Sequence, residues 1–174
     1  LLSSRGIIEG IEFAKKLELE DAEGLNKAME AQKKAFAGNE LAGKTLGIIG
    51  LGSIGSMLAQ AAHTLGMKLV GYDPYISIEG AWRLPAEVEK AETMEALLRQ
   101  SDFVSLHVPL VEDTKNLINK SNLKKFKKGA KLINLSRGGI VNTNDVIAEL
   151  ENGSLGRFVT DFPTPELIKR SASK

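Results

Sequence analysis

A chain of 174 residues, 43% of them apolar, is large enough to bury a hydrophobic core, so we expect one main domain. Its 23 Lys and Arg residues balance 22 Asp and Glu residues, which argues against a nucleic-acid partner and against a polybasic membrane anchor. The absence of cysteine excludes disulfides and thiolate metal sites, and no apolar run approaches the roughly 18 residues of a membrane span.

The first forty residues predict two helices that precede any strand. Ser3 or Ser4 is the predicted N-terminal cap of the first helix. The apolar residues of this helix have helical spacing: Ile7, Ile8, Ile11, Ala14 and Leu17. The second begins at a capping Asp21, ends at Gly38 and carries a second apolar stripe: Leu25, Ala28, Met29 and Phe36. Residues 1–40 are therefore either a packed surface hairpin or an arm that serves as a hinge or subunit contact.

From Lys44 the pattern alternates between short apolar strands and helices. Strands are predicted at Thr45–Ile49, Lys68–Tyr72, Val88–Ala91, Phe103–Val108, Lys131–Leu135 and Arg157–Thr160. Helices are predicted at Ile54–Leu65, Met94–Gln100 and Asn144–Glu151, the last of them closed by Asn152 and Gly153. Buried strands interleaved with helices predict an α/β fold over residues 41–166, a doubly wound parallel sheet of the Rossmann type. Residues 167–174 turn small and polar, which indicates a loose, truncated tail.

A glycine-rich turn joins the first predicted strand to the helix after it. Its sequence, Gly50-Leu51-Gly52-Ser53-Ile54-Gly55, matches the pattern G-x-G-x-x-G. In that pattern the first glycine permits a tight turn, the second lets the backbone approach a diphosphate, and the third lets helix and sheet pack closely. The amide groups and positive dipole of the helix start then face the anion, although the same residues could form an ordinary tight turn.

Asp73 follows the second strand, 18 residues beyond Gly55. A carboxylate there accepts hydrogen bonds from ribose hydroxyls and repels a 2′-phosphate, so it favours NAD over NADP. Asp73 can also serve as a turn former before Pro74, and both roles can hold at once.

Residues with polar or ionisable side chains directly follow the later strands, at the edge where a doubly wound sheet binds its ligands. These are His107-Val108-Pro109, Asn134-Leu135-Ser136-Arg137-Gly138-Gly139 and Thr160-Asp161. The Arg137 guanidinium can hold a planar carboxylate bidentately, and the alternative is a surface arginine on a turn.

These runs together resemble the successive signatures of the D-isomer-specific 2-hydroxyacid dehydrogenases. They comprise Gly50–Gly55, Asp73, Leu106–Pro109, Asn134–Gly139 and Val159–Pro163. Gly71–Tyr75, Ala81-Trp82 and Thr160–Pro163 are similar to the bacterial D-3-phosphoglycerate dehydrogenases within that family. The resemblance implies the Rossmann fold and the cofactor NAD. It also implies that a last strand and a substrate lobe of the family lie outside this chain.

The resemblance assigns roles to individual residues. Arg137 would hold the substrate carboxylate, and Glu166 would orient the family's catalytic histidine. Residues on the cofactor would be Gly50, Gly52, Ser53, Ile54, Gly55, Asp73, His107, Val108, Pro109, Ser136, Gly138 and Asp161. Among these, Val108 and Pro109 would line the adenine side, Ser136 and Gly138 the nicotinamide side, and Asp161 would bond the nicotinamide carboxamide. Taken alone, Asp161 could be a strand-end cap and Glu166 a solvated charge.

The family's acid/base histidine lies in a Pro-His-x-Gly segment, which this sequence does not contain. His63 is expected on a helix surface. His107 lies near the cofactor face and could be considered as the proton donor, but the resemblance makes it a pocket-wall residue instead. Without an initiator methionine, the chain could reflect processing, a deliberately shortened gene or a fragment, and we favour a fragment. We expect it to bind NAD without turnover.

The full protein is expected to be an NAD-dependent oxidoreductase acting on a D-2-hydroxy acid, and the expected acid is D-3-phosphoglycerate of serine biosynthesis. Alternatives are a sister dehydrogenase for lactate, glyoxylate or hydroxypyruvate, and a non-enzymatic NAD-sensing interaction protein of the same fold. The resemblance further implies a cytoplasmic homodimer or homotetramer, with no metal, nucleic acid or membrane partner.

Overall fold

A computed structural model describes residues 4–17 and 22–172 of the chain. The chain divides into two compact units, residues 1–41 and residues 42–174, and each is described by itself. In the described ranges no helix combines the length and apolarity that crossing a membrane requires.

The first unit contains two helices, α1 (Ile7–Lys15) and α2 (Ala22–Gln32). The rings of Phe13 and Phe36 pack with their centroids 5.4 Å apart. Gly38 passes close to the backbone of Ser4, and the neighbouring Asn39 N–H donates to the Ser4 carbonyl oxygen at 2.8 Å. An aromatic pair and close backbone contacts therefore hold this unit together.

The predicted helix ends in the first unit need correction. α1 begins after Gly6, which offers no side-chain cap, so Ser4 does not cap it. The alternative caps, Ser3 and Asp21, lie outside the described residues. α2 ends at Gln32, well before Gly38, because residues 33–36 form turns and Gly38 is used for the close approach to Ser4.

The second unit is built on one parallel sheet of six strands in the order β3-β2-β1-β4-β5-β6. The strands are β1 (Thr45–Ile49), β2 (Lys68–Tyr72), β3 (Val88–Lys90), β4 (Phe103–Leu106), β5 (Ala130–Asn134) and β6 (Leu155–Thr160). This is the strand order of a doubly wound dinucleotide-binding sheet, so the predicted fold class is confirmed. The expectation of a further strand beyond these six stays a prediction.

Helices cover both faces of the sheet. They are α3 (Ser53–Thr64), α4 (Ile78–Ala81), α5 (Met94–Gln100), α6 (Lys120–Leu123), α7 (Thr143–Glu151) and α8 (Pro165–Ala172). Neighbouring residues of a strand point to opposite faces. The Ile48 side chain lies toward Gly55 of α3, whereas an added Cβ on Gly47 would meet the Leu97 side chain of α5. α3 and α5 therefore lie on opposite faces of the sheet.

A buried apolar cluster packs between the sheet and its helices, and it includes Ile49, Val70, Leu97, Leu98, Val104, Leu106, Ile118, Leu132, Ile140 and Val146. The single-turn helices α4 and α6 are additions to the predicted elements. The expected loose tail is wrong through Ala172, because α8 runs from Pro165 to Ala172 with contacts to α7.

Charged side chains stabilise the end of the sheet where the strands begin. Asp102, just before β4, accepts hydrogen bonds from the Thr45 N–H at 2.9 Å and from the Lys127 ammonium at 2.5 Å. The Lys131 ammonium lies 4.7 Å from the centre of the Phe103 ring. The opposite end, where the strands finish, carries the glycine-rich segments.

Candidate functional site

The glycine turn after β1 is shaped by contacts that a side chain would block. Gly50 has a φ of +92°, and an added Cβ would lie 2.5 Å from the carbonyl oxygen of His107. An added Cβ on Gly55 would collide with the carbonyl oxygen of Gly50. An added Cβ on Gly52 would meet nothing within 4 Å, so the space above this residue is open. Two glycines therefore shape the turn, and the third leaves its outer surface accessible.

The amino end of α3 has no described side chain as a cap. Its capping position is Gly52, its first turn holds no acidic residue, and Ser53 and Ile54 are exposed. By contrast, α4, α5, α6 and α7 are each capped by a polar side chain: Ser77, Thr93, Asn119 and Asn142. The first amide groups of a helix need partners, and an anion such as a diphosphate supplies them. This end of α3 therefore fits the diphosphate of a dinucleotide.

Asp73 joins the glycine turn to the end of β2. One carboxylate oxygen accepts the Leu51 N–H at 2.8 Å, and the other accepts the Tyr75 N–H at 2.9 Å. Each oxygen retains further lone pairs, which a ribose diol could use. The carboxylate therefore serves as a brace for the turn and fits the acidic position expected beside a ribose.

A pocket of about 680 Å³ opens beside Asp73, on the side of β3. It is mostly apolar and is lined in part by Leu51, Asp73, Trp82 and Val88, but Gly52 and Ser53 do not line it. The uncapped amide groups at the start of α3 therefore lie outside this pocket.

His107 follows β4 and lies against the glycine turn. Its backbone contacts Gly50, and its ring Nε2 lies 2.8 Å from the hydroxyl oxygen of the buried Ser105. Burial lowers the pKa of His107 below the ordinary histidine value of about 6.5. The imidazole is therefore neutral at pH 7, and Val108 and Pro109 continue from it along the same end of the sheet.

A buried amide organises the turn after β5. Asn134 is 1% exposed, and its side-chain oxygen accepts hydrogen bonds from the Ser136 N–H at 3.2 Å and the Ser136 hydroxyl at 3.0 Å. Its side-chain nitrogen donates to the Arg137 carbonyl oxygen at 2.8 Å. The exposed Arg137 guanidinium donates to the Ser136 carbonyl oxygen at 2.6 Å and keeps further N–H donors for a carboxylate.

The segments that follow the strands form one continuous row, which we call the carboxyl rim: residues 50–55, 73–75, 107–111, 134–139 and 160–163. Besides the contacts already given, an added Cβ on Gly139 would lie 3.1 Å from Leu110, and one on Gly138 would lie 3.2 Å from Phe162. The rim thus brings together the predicted residues from the glycine turn through Gly138 and reaches the segment of Asp161.

Asp161 and Glu166 lie at and beyond the last segment of the rim, and both are exposed. Glu166 is in the first turn of α8, where its own backbone N–H and then the Thr164 hydroxyl lower its pKa. Arg137 donates to the neighbouring Ser136, and Glu166 interacts with its own backbone and Thr164, so these hydrogen bonds do not join the two residues directly.

Sequence reasoning missed the supporting roles of Ser105 and Asn134. The signal for both was a polar residue within an apolar strand, since a buried polar group requires a hydrogen-bond partner. In residues 4–17 and 22–172 there is no cluster of three or more histidine or acidic side chains that could hold a metal.

Residues 10–173 match the family model described as D-isomer specific 2-hydroxyacid dehydrogenase, NAD binding domain. The chain is 41% identical to a D-3-phosphoglycerate dehydrogenase of Bacillus subtilis over 135 residues, which are 78% of this chain and 25% of that protein. It is 47% identical to 2-hydroxyacid dehydrogenase A of Aspergillus oryzae over 128 residues, which are 74% of this chain and 35% of that protein.

Among solved structures, apo D-mandelate dehydrogenase of Rhodotorula graminis is similar, with a TM-score of 0.76 and 32% identity. The match covers 97% of this chain and 49% of that one. The chain thus spans between a quarter and a half of the length of these relatives.

Proposed function

Because the chain belongs to the D-isomer-specific 2-hydroxyacid dehydrogenase family, through its NAD-binding domain, we propose that the whole protein oxidises or reduces a D-2-hydroxy acid. We propose D-3-phosphoglycerate as that acid, which would place the protein in serine biosynthesis. The similarity to the Bacillus subtilis enzyme supports this choice, as do the sequence runs around Asp73 and Asp161. The similarity to a general 2-hydroxyacid dehydrogenase and to a mandelate enzyme keeps a sister substrate such as lactate or hydroxypyruvate as the alternative.

The observation that carries this proposal is the uncapped start of α3 beside Asp73. The amide groups after Gly52 would bind the diphosphate, and Asp73 would accept the ribose hydroxyls. Val108 and Pro109 would line the adenine. Beyond them along the rim, the nicotinamide side would be lined by Ser136 and Gly138 and bonded by Asp161.

Bound NAD would supply the hydride-accepting or hydride-donating carbon of the reaction. The role of Arg137 would be to hold the substrate carboxylate, because a guanidinium offers paired donors that match its planar geometry. Glu166 would orient a histidine that the family resemblance places later in the protein. Since its pKa is lowered, Glu166 is a carboxylate at neutral pH and would favour the protonated form of that histidine.

Calorimetric titration of the 174-residue chain with NAD and NADP tests the cofactor site. For Asp73→Ala we expect NAD affinity to fall about tenfold to a hundredfold, since hydrogen bonds to a charged group contribute about 1.5–3 kcal/mol. For Asp73→Asn we expect the preference for NAD over NADP to narrow, because a neutral amide does not repel a 2′-phosphate.

Asp145→Ala is the matched control, because Asp145 also accepts a distant backbone N–H, that of Lys120, at 2.9 Å. Its loss should leave NAD affinity unchanged. Unchanged NAD affinity in a folded Asp73→Ala protein would remove Asp73 from the site, and wild-type protein that bound neither dinucleotide would refute the proposal as a whole.

The substrate is tested on the full-length protein with a panel of D-3-phosphoglycerate, D-lactate, glycerate and hydroxypyruvate. We expect the highest kcat/KM for D-3-phosphoglycerate, and a higher value for another acid would move the assignment to a sister enzyme. The 174-residue chain alone should bind NAD without turnover.

We also propose a cytoplasmic homodimer or homotetramer that uses α1 and α2 as a contact. Ile7, Ile8 and Ile11 support this proposal, because they are 45%, 51% and 50% exposed and apolar side chains gain free energy when they are covered. A monomeric full-length protein in light scattering would contradict it.

A further inference from the structure

Ser105 is a polar residue in the middle of the sheet. It lies in β4 between Val104 and Leu106, and all three are buried. A buried hydroxyl is unfavourable unless it is hydrogen-bonded, and a valine would suit such a strand better. The hydroxyl oxygen of Ser105 lies 2.8 Å from Nε2 of His107.

Both side chains point to the face of the sheet on which α3 begins. Ser105 pairs in register with Ile48, whose side chain lies toward Gly55 of α3. His107 follows the end of β4, and the 2.8 Å contact between its Nε2 and the Ser105 hydroxyl oxygen brings the ring to that face as well. Its backbone contacts Gly50, and the residue is only partly buried. A ligand at the start of α3 would therefore meet the His107 ring from the solvent side.

The position of one proton follows from the available partners. If Nε2–H donated to Ser105, the hydroxyl proton would need a second acceptor, and the hydrogen bonds of the described residues give Ser105 no other partner. A buried donor without a partner costs about 1–3 kcal/mol. If Ser105 donates to a bare Nε2, the buried hydroxyl proton has its acceptor and the imidazole proton resides on Nδ1, on the partly exposed side of the ring. Burial lowers the pKa of His107 and so disfavours the doubly protonated imidazolium, but the choice between the two neutral tautomers rests on the Ser105 hydroxyl.

We propose that Ser105 is a positioning residue that holds His107 as the neutral Nδ1–H tautomer, so that the ring offers an N–H donor to an oxygen of the bound dinucleotide. The donor function rests on the proposed cofactor site. The tautomer is a property of the protein without ligand. The Ser105 hydroxyl determines both the orientation of the ring and the nitrogen that carries the proton. Without this partner the imidazole could adopt either neutral tautomer.

The test is nitrogen-15 NMR of the imidazoles in the ligand-free 174-residue chain. The chain has two histidines, so the His63→Gln variant assigns both rings. We expect His107 to have a protonated Nδ1 and a bare Nε2 in the wild type. In Ser105→Ala we expect a mixture of tautomers, and in Ser105→Thr, which keeps the hydroxyl, the wild-type pattern.

Ser101→Ala is the matched control. Ser101 is also fully buried, and its hydroxyl donates to the Leu97 carbonyl oxygen at 2.7 Å, away from His107. The Ser101→Ala variant should lose a comparable hydrogen bond without changing the tautomer of His107. A purely structural role for Ser105 predicts that both alanine variants lose stability and neither changes the imidazole signals.

Calorimetry with NADH gives the second readout. We expect Ser105→Ala to weaken NADH binding about threefold to tenfold, Ser105→Thr to restore it and Ser101→Ala to leave it unchanged. A wild-type His107 with its proton on Nε2, or an unchanged tautomer in Ser105→Ala, overturns the proposal even where NADH binds. A correct tautomer in a protein that does not bind NADH overturns the donor function and the cofactor site together. The wild-type spectrum decides the tautomer even if Ser105→Ala fails to fold.

Discussion

Replacing Asn134 with alanine should destabilise the protein far more than replacing an exposed asparagine. The buried Asn134 amide makes three hydrogen bonds to Ser136 and Arg137, at 2.8–3.2 Å. A typical hydrogen bond contributes about 1 kcal/mol net, so their loss amounts to about 3 kcal/mol. For a domain of this size about 1 kcal/mol lowers Tm by roughly 2–4 °C, and we therefore expect Tm to fall by about 6–12 °C.

The assay is thermal unfolding followed by circular dichroism, with Asn152→Ala as the control. Asn152 accepts the Ser154 N–H at 2.8 Å and donates to Glu149 at 3.0 Å, but it is exposed and water replaces both partners. Its variant should lose no more than about 1 kcal/mol. Hydrogen exchange at the Ser136 amide should accelerate only in Asn134→Ala. Equal losses in the two variants would refute the conclusion that burial makes the Asn134 amide a brace for the Arg137 turn.

Two further predictions concern the glycine turn and the charged end of the sheet. Gly55→Ala should lower Tm, because the added Cβ collides with the Gly50 carbonyl oxygen. Gly52→Ala should leave Tm unchanged but weaken NAD binding in calorimetry, because its Cβ enters the open space above the turn. Equal Tm values for the two variants would contradict this prediction. Burial raises the pKa of Asp102, but the Lys127 ammonium and the Thr45 N–H outweigh it and hold that pKa below the ordinary value of about 3.9. The lowered pKa stabilises the fold above about pH 4, and this contribution is lost as the pH falls through the folded-state pKa. In urea unfolding, Asp102→Asn should therefore lower stability at about pH 6 and have less effect at about pH 3, and an effect of equal size at both pH values would contradict the assignment.

Much of the fold followed from the sequence because its strands are short, apolar and bounded by polar turns. The bounds of β1, β2 and α5 are confirmed as predicted, and the other predicted strands and helices of the second unit shift by one or two residues at their ends. The helices α4 and α6 were missed because a single turn is too short to establish a periodic pattern. α8 was missed because its polar residues carry no apolar stripe long enough to separate a helix from a loose end.

The candidate site was less accessible to sequence reasoning than the fold. The glycine turn and Asp73 could be located because their spacing is tied to a strand and a helix start. That Asp73 would bond the Leu51 amide could not be read from the sequence, because two residues 22 positions apart meet only through the pairing of β1 with β2. Ser105 fell in the middle of an apolar strand, and its partner was visible only when the side chains were placed.

The two ends of the sheet tolerate engineering differently. The end where the strands begin is fastened by Asp102, Lys127 and the pairing of Lys131 with Phe103, so added charge pairs or better packing there would raise thermal resistance at a distance from any bound ligand. At the end where the strands finish, Gly50 and Gly55 leave no room for a side chain, and the space above Gly52 is open. Mutational libraries aimed at durability should therefore target the first end, whereas libraries aimed at altered recognition will find few neutral substitutions at these glycines.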